Sequence, residues 1–132
     1  MNVTLKNRQH LIFTIMLVVS VMLAIMGYHR IKKDMILLSK GEQLLAKQDF
    51  QGAIPLFVES FKLGNSSPKL LKSLGDSCSK VGSPLAIDAY RRFLSKFPED
   101  RNVRINLARL LAWHGQYNES VIEYRKVLGE NL

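Results

Sequence analysis

The sequence predicts an all-α protein: one apolar helix long enough to cross a membrane, followed by three helical hairpins stacked as an α-solenoid. Three observations lead to this fold class. Residues 11–28 contain no charged side chain. Beyond Asp34, small and aromatic side chains recur at a nearly constant interval. The same region alternates amphipathic stretches with Gly, Pro and Asp residues at the spacing of helix ends.

The N-terminal third has the composition of a membrane segment. Its charge-free run, LIFTIMLVVSVMLAIMGY, would form a helix of about 27 Å, close to the hydrocarbon thickness of a bilayer. We therefore predict a single-pass transmembrane helix at residues 11–29, preceded by a basic tail at residues 1–10. Only Gly41 could interrupt a helix between His29 and Lys47, so we expect this helix to continue into the first hairpin.

A cleaved secretory signal is the alternative interpretation of this run. The apolar region of a signal usually has about 7–15 residues and ends at a small-x-small site. Cleavage after Ala24 or Gly27 would place Met22 or Ile25 at the −3 position, so a retained anchor is favoured. Basic residues on the two sides nearly balance, and orientation is weakly determined. The short basic head favours an inside position, with the hairpins on the extracytoplasmic side.

The net charge of +8 is distributed evenly along the chain. Residues 1–34 carry five basic and one acidic side chain, which gives +4. Residues 35–132 carry 14 basic and 10 acidic side chains, which again gives +4. A nucleic-acid-binding protein gathers basic residues into a stripe with aromatic side chains placed for stacking. The sequence has neither feature, so we expect no nucleic acid partner, and we expect membrane lipid around residues 11–29.

The repeat is carried by three columns of residues. The first column holds Gly41, Gly75 and Ala108, the second holds Ala53, Ala86 and Ser120, and the third holds Phe57, Tyr90 and Tyr124. Small residues in the first two columns let the two helices of a hairpin approach closely, because a larger side chain would push them apart. The aromatic column is expected to fill the space between one hairpin and the next.

Local signals place the helix ends. Ser66 or Ser67 before Pro68, and Ser83 before Pro84, show the pattern of an N-cap followed by Pro at the first helical position, and Asp100 is a third N-cap candidate. A left-handed residue closing a helix is predicted at Gly64, Gly82, Gly115 and Gly129. Pro55 falls inside a predicted helix, which requires that helix to begin near residues 49–51.

With these columns the sequence resembles the tetratricopeptide repeat, a family of stacked helical hairpins with a period of about 34 residues. The resemblance places the first repeat at residues 34–67, the second at 68–100 and the third at 101–132. The sequence departs from the family pattern in several places: Lys40 stands where Leu is usual, Phe93 and Val127 replace a small Ala, and Pro is missing after the first repeat. The resemblance implies an α-solenoid that binds a protein or peptide partner.

The resemblance also implies a groove lined by the first helix of each hairpin. Glu42, Asp76 and Arg109 share one groove position; the other candidate contacts are Leu38, Leu45, Lys69, Lys72, Ser79, Asn102, Ile105 and Trp113. A solvated face is the alternative interpretation of these residues. Family members that clamp a carboxylate tail have Asn where this chain has Asp76, so we do not expect that specialisation. For Trp113 we favour packing against the following hairpin over a role as partner contact.

We find no motif of an enzyme. The sequence has no phosphate loop, no nucleophile elbow and no metal-ligand spacing, so we predict no catalytic residue, no metal and no cofactor. Cys78 shares its position in the repeat with Leu44 and Leu111, which predicts that it is a buried apolar residue rather than a reactive thiol.

The last hairpin is expected to leave Leu111, Val121 and Leu128 partly bare, which predicts contact of this end with a partner, another copy or the membrane. Together these features predict a membrane-anchored scaffold for protein–protein interaction. The third repeat also resembles repeats of bacterial exopolysaccharide and envelope systems, which suggests an envelope, secretion or polysaccharide-related assembly. A self-associating structural subunit and a regulatory subunit of a membrane enzyme are the alternatives.

Overall fold

Six α-helices make up the described part of the chain, which contains no strand. The structure, a computed structural model, describes residues 2–129 and the side chains of residues 7–129. The helices are α1 (Asn2–Ala46), α2 (Phe50–Lys62), α3 (Pro68–Lys80), α4 (Leu85–Lys96), α5 (Arg101–Trp113) and α6 (Tyr117–Leu128). By its internal contacts the chain divides into two units, Met1–Lys33 and Asp34–Leu132. Helix α1 continues across this boundary without a break, as predicted.

The first unit contains the apolar part of α1. Within Asn7–Ala46, an 18-residue window has a mean hydropathy of 2.5, and none of it is buried. By length and composition this helix can cross a membrane, although a signal sequence near an N-terminus meets the same criteria. The Thr14 hydroxyl donates to the carbonyls of Leu11, at 2.8 Å, and His10, at 3.1 Å. The polarity of this hydroxyl is therefore satisfied within the helix.

Three helices of the second unit begin with an N-cap whose side chain bonds the first turn. Asp49, Ser67 and Asp100 each accept a hydrogen bond from the backbone N–H three residues further on, at 2.9, 3.3 and 2.9 Å. The latter two caps were predicted from the sequence. Because α2 begins at Phe50, Pro55 falls in its second turn and removes only one helical hydrogen bond.

The start of α4 differs from the prediction. Ser83 is not its N-cap, because Pro84 takes that position without a side-chain bond. The Ser83 hydroxyl instead accepts from the N–H of Leu85 at 3.4 Å. The N–H of Ala86 donates to the Ser83 carbonyl, a three-residue bond that tightens the first turn. The helix start is thereby displaced by one residue.

Left-handed residues close most of the helices. Gly64, Gly82, Gly115 and Gly129 all have positive φ, as predicted. At the end of α1, Gln48 has the same left-handed conformation, with φ of 60°. In α1, α3 and α5 the residue after the left-handed position donates its N–H to the carbonyl five residues earlier, at 2.9, 2.9 and 2.8 Å. The three hairpins therefore turn by the same hydrogen bond, and the first does so without glycine.

Two aromatic rings lie where glycine leaves room in the first helix of a hairpin. A Cβ added at Gly41 would overlap the ring of Phe57, and one added at Gly75 would overlap the ring of Tyr90. Both aromatic side chains are buried. In the third hairpin Ala108 takes the glycine position and is itself fully buried. The first and third columns of the repeat therefore meet inside each of the first two hairpins.

The second column lies at the contact between paired helices, as predicted. Ala53 and Ala86 are fully buried, and Ser120 is almost so. The Ser120 hydroxyl donates to the carbonyl of Ala108 at 2.7 Å. A hydroxyl at this position is thus satisfied by the backbone of the opposite helix, which explains why serine can stand where the other two hairpins have alanine.

A polar cluster ties α1 to the end of α2. Asp34 accepts hydrogen bonds from the buried hydroxyl of Ser60 and from the side-chain amide of Asn65, the latter at 3.0 Å to each carboxylate oxygen. Asn65 in turn accepts from the N–H of Ser67 at 2.8 Å. The start of the second unit is thereby fixed to the loop that leads into α3.

Burial along the column of Leu44, Cys78 and Leu111 is uneven. Cys78 and Leu111 are buried, whereas Leu44 is only partly buried. The prediction that Leu111 is partly bare is therefore wrong, because its position in the repeat directs it into the core. Val121 and Leu128 are exposed, as predicted.

We expect Gly75→Ala to destabilise the chain by about 1–3 kcal/mol, because the added methyl would displace the ring of Tyr90 from a packed core. Thermal unfolding of the full chain in mild detergent, followed by circular dichroism, measures this loss. Gly27→Ala is the matched control, since it adds the same methyl to a helix where no neighbouring atom lies within 4 Å. Equal unfolding temperatures for the two variants would contradict the prediction.

Candidate partner-binding groove

The first helices of the three hairpins border two cavities. One has a volume of about 360 Å³ and is lined mainly by α3 and α5. The other has a volume of about 460 Å³ and is lined by α1 and by Lys69 of α3. We name them the α3–α5 cavity and the α1–α3 cavity. Each is lined in part by residues that the sequence predicts for a groove.

The α3–α5 cavity is built around a buried tyrosine. The Tyr90 ring packs over Gly75. This position brings the Tyr90 hydroxyl next to Asp76, and the hydroxyl donates a hydrogen bond to Oδ1 of Asp76 at 2.6 Å. Burial of the ring, and then the adjacent Asp76 carboxylate, raise the pKa of Tyr90 well above its ordinary value. Lys72 donates to the other carboxylate oxygen of Asp76 at 2.9 Å. Both oxygens of this carboxylate are therefore bonded.

Positive and aromatic side chains complete the α3–α5 cavity. Lys80 lies on its α3 side, and Arg109 and Trp113 lie on its α5 side. The Arg109 guanidinium donates to the side-chain oxygen of Asn106 at 2.6 Å, so its charge is not compensated by that bond. Trp113 is 74% exposed. The expectation that Trp113 packs against the following hairpin is therefore wrong, since the described residues leave most of its side chain exposed.

The α1–α3 cavity is more apolar and carries one ion pair. Met35 and Leu38 line it beside Glu42. The Glu42 carboxylate pairs with Lys69 at 2.8 Å and accepts from the hydroxyl of Ser73 at 3.2 Å. These bonds join the first hairpin to the second. Because Lys69 is largely exposed, the ion pair fixes side-chain direction more than it contributes stability.

The predicted groove residues divide into two sets. Seven of them line a cavity: Leu38, Glu42, Lys69, Asp76, Ser79, Arg109 and Trp113. Four of them line neither cavity: Leu45, Lys72, Asn102 and Ile105. Among these four, Lys72 reaches the site through its bond to Asp76, and Leu45 and Ile105 are partly buried in the packing of the helices. Partner contact by any of the eleven residues stays a prediction.

Sequence reasoning missed the role of Tyr90. The aromatic column predicts a ring that fills space between hairpins, and the ring does line the cavity next to α5. Its hydroxyl, however, also bonds the carboxylate at the predicted groove position. The signal was available in the sequence, because only the second hairpin combines a tyrosine in this column with an acidic residue immediately after its glycine.

The remaining candidate chemistry is limited. Among residues 7–129, no cluster of three His, Cys, Asp or Glu side chains could hold a metal ion. Cys78 is buried, and burial raises the pKa of its thiol to about 11, against the smaller opposing effect of a hydrogen bond with Ser83. At neutral pH this side chain is an uncharged thiol in the core.

Comparison with known proteins identifies a fold and no family. No family model and no curated protein matches the sequence. Two mutant structures of MamA, a protein that contains tetratricopeptide repeats, are similar in structure. One has a TM-score of 0.66 and 18% identity, over 75% of this chain and 73% of that chain. The other has a TM-score of 0.66 and 21% identity, over 73% and 56%. The chain therefore has an all-helical, tetratricopeptide-like fold.

We expect Cys78 to react with iodoacetamide at pH 8 about 100-fold more slowly in the folded chain than in urea, because its pKa is raised from 9.0 to about 11. Mass spectrometry of timed samples measures both rates. The neutral thiol is favoured in the folded state, so its contribution to stability is complete below pH 9 and is lost as the pH rises through 11. Similar alkylation rates in the two states would contradict this assignment.

Proposed function

We propose that this chain is a membrane-anchored scaffold whose groove, formed by α1, α3 and α5, binds a segment of a partner protein. The α3–α5 cavity is the observation that carries the proposal. It combines an exposed tryptophan with several polar side chains that converge on one space. Tryptophan and arginine are the residues most enriched among strong contacts in protein interfaces, and repeat arrays commonly bind along the face of their first helices.

The charges of the α3–α5 cavity favour an acidic partner segment. Lys80 and Arg109 contribute two positive charges, and the carboxylate that lines the cavity, Asp76, is already bonded by Lys72 and Tyr90. A carboxylate side chain of the partner would meet Arg109, which can form a bidentate pair, in the cavity that Trp113 also lines. A basic segment would leave these cations without compensation.

Fluorescence of Trp113 offers a direct test, because it is the single tryptophan of the chain. Peptides selected from a random display library against the full chain in detergent are expected to be enriched in Asp and Glu, and to shift the Trp113 emission on binding. Arg109→Ala should weaken their binding by about tenfold or more, the loss of one charge-assisted hydrogen-bonded contact.

Arg125→Ala is the matched control for this test, since it removes an exposed arginine that lies outside both cavities. It should leave peptide affinity unchanged. Selected peptides that bind Arg109→Ala as tightly as the native chain, or a selection that enriches Lys and Arg, would argue against the proposed groove chemistry.

The anchor is the second part of the proposal, and the exposed apolar window of α1 supports it. We expect the chain to remain in membranes after alkaline carbonate extraction and to keep its full mass of 15.0 kDa. The pair Val18→Lys and Val21→Lys should release it, because each lysine costs about 2.5–3.5 kcal/mol at the centre of a spanning helix. The pair Val81→Lys and Val121→Lys, outside the window, should not.

A shortened mature chain would instead identify the window as a cleaved signal.

The proposed topology places the hairpins on the extracytoplasmic side, where added protease should digest them in intact cells. The proposed setting, from the resemblance of the third hairpin, is a bacterial envelope, secretion or polysaccharide-related assembly. A scaffold of this kind has no catalytic step, and turnover by the purified chain would contradict the proposal.

A further inference from the structure

The outer face of α6 carries a stripe of apolar side chains. Its members are Tyr117, Val121, Tyr124 and Leu128, which fall on one side of the helix by their spacing of four, three and four residues. We call this set the α6 stripe. Val121, Tyr124 and Leu128 are 48%, 38% and 70% exposed. Large apolar side chains that are contiguous and exposed mark interaction surfaces.

The repeat shows what the α6 stripe is built to contact. At the equivalent positions of the preceding repeat, α4 carries Ile87, Tyr90 and Leu94, which are only 7%, 1% and 7% exposed. Helix α5 packs against α4, and Tyr90 lines a cavity together with α5 residues. In the first repeat α3 packs against α2 in the same order. The α6 stripe therefore corresponds to a surface that is buried in the preceding repeat, and among the described residues no helix follows α6 to cover it.

A head-to-tail stack of copies does not supply that cover. The helices that cover a stripe contribute apolar residues at two positions, Leu70 and Leu74 in α3 and the corresponding valine and leucine in α5, all buried. At the same two positions α1 has Ile36 and Lys40, both exposed. A lysine in place of the second leucine would be buried without a partner, which disfavours stacking of α1 on the α6 stripe of another copy.

The same stripe on a second copy matches it in length and polarity. It contains no charged side chain, so two stripes can pack without burying a charge. A two-fold axis perpendicular to α6 would place the two helices antiparallel, an arrangement that opposes their dipoles favourably. Such a contact is self-complementary and closes after two copies.

We propose that two copies of this chain pair about a two-fold axis through the α6 stripe. The pairing extends the stacking interface that already joins the three hairpins. It uses residues separate from both cavities, so the two grooves of the dimer stay open. The proposal is independent of the groove and of the anchor, and it can fail while either of them holds.

Light scattering of the full chain in detergent, corrected for the bound detergent, tests the pairing. We expect two chains per particle for the native protein, and at least about tenfold weaker pairing for Val121→Lys, which places one lysine from each copy in the contact. Leu128→Lys should act in the same way. Val81→Lys is the matched control, because it makes the same change at an exposed valine off the stripe and should keep the dimer.

Circular dichroism should show the same helix content for the Val121→Lys and Val81→Lys variants, since both valines are exposed. One chain per particle for the native protein at its highest soluble concentration would overturn the proposal. A dimer that survives both Val121→Lys and Leu128→Lys would also overturn it, and its loss on substitution within residues 11–29 would assign pairing to the apolar run instead.

Discussion

The packing of an aromatic ring over a glycine is the contact on which the helical array depends. Phe57 and Tyr90 reach the backbone of the opposing helix only because Gly41 and Gly75 lack a side chain. This close approach sets the distance between paired helices, and buried small residues at Ala53 and its equivalents maintain it. Once that distance is fixed, the outer edge of each aromatic ring is available to the next hairpin.

Stacking of successive hairpins follows from the same ring. Tyr90 contacts the glycine position of its own hairpin and lines the cavity beside α5, so one side chain serves both the hairpin and the stack. Its hydroxyl also bonds one oxygen of Asp76, while Lys72 compensates the charge of that carboxylate, and Lys80 and Arg109 supply the positive side chains of the cavity. The core and the candidate site are therefore not separable in this fold, and a change at the glycine would reach the cavity.

Polar contacts within and between hairpins orient the helices of this apolar framework. Arg104 bonds Glu123 at 2.6 Å, with both side chains mostly buried. Burial tends to raise the pKa of Glu123, but hydrogen bonds from Lys126 and Arg104 outweigh it and hold the pKa below its ordinary value. The pair therefore supports the folded state above the ordinary pKa of a glutamate and loses that contribution as the pH falls through the lowered value. Exposed pairs such as Lys69 with Glu42 contribute little by comparison.

The sequence by itself determined the helices, most of their caps and the three-column repeat, because these depend on short-range spacing and on residue size. It also predicted seven of the residues that line the two cavities. Only the tertiary structure decided that Trp113 is exposed and that the Tyr90 hydroxyl bonds Asp76. These outcomes depend on which helix lies opposite a side chain. The periodicity of residues along one helix does not indicate which residues of another helix pack over that side chain.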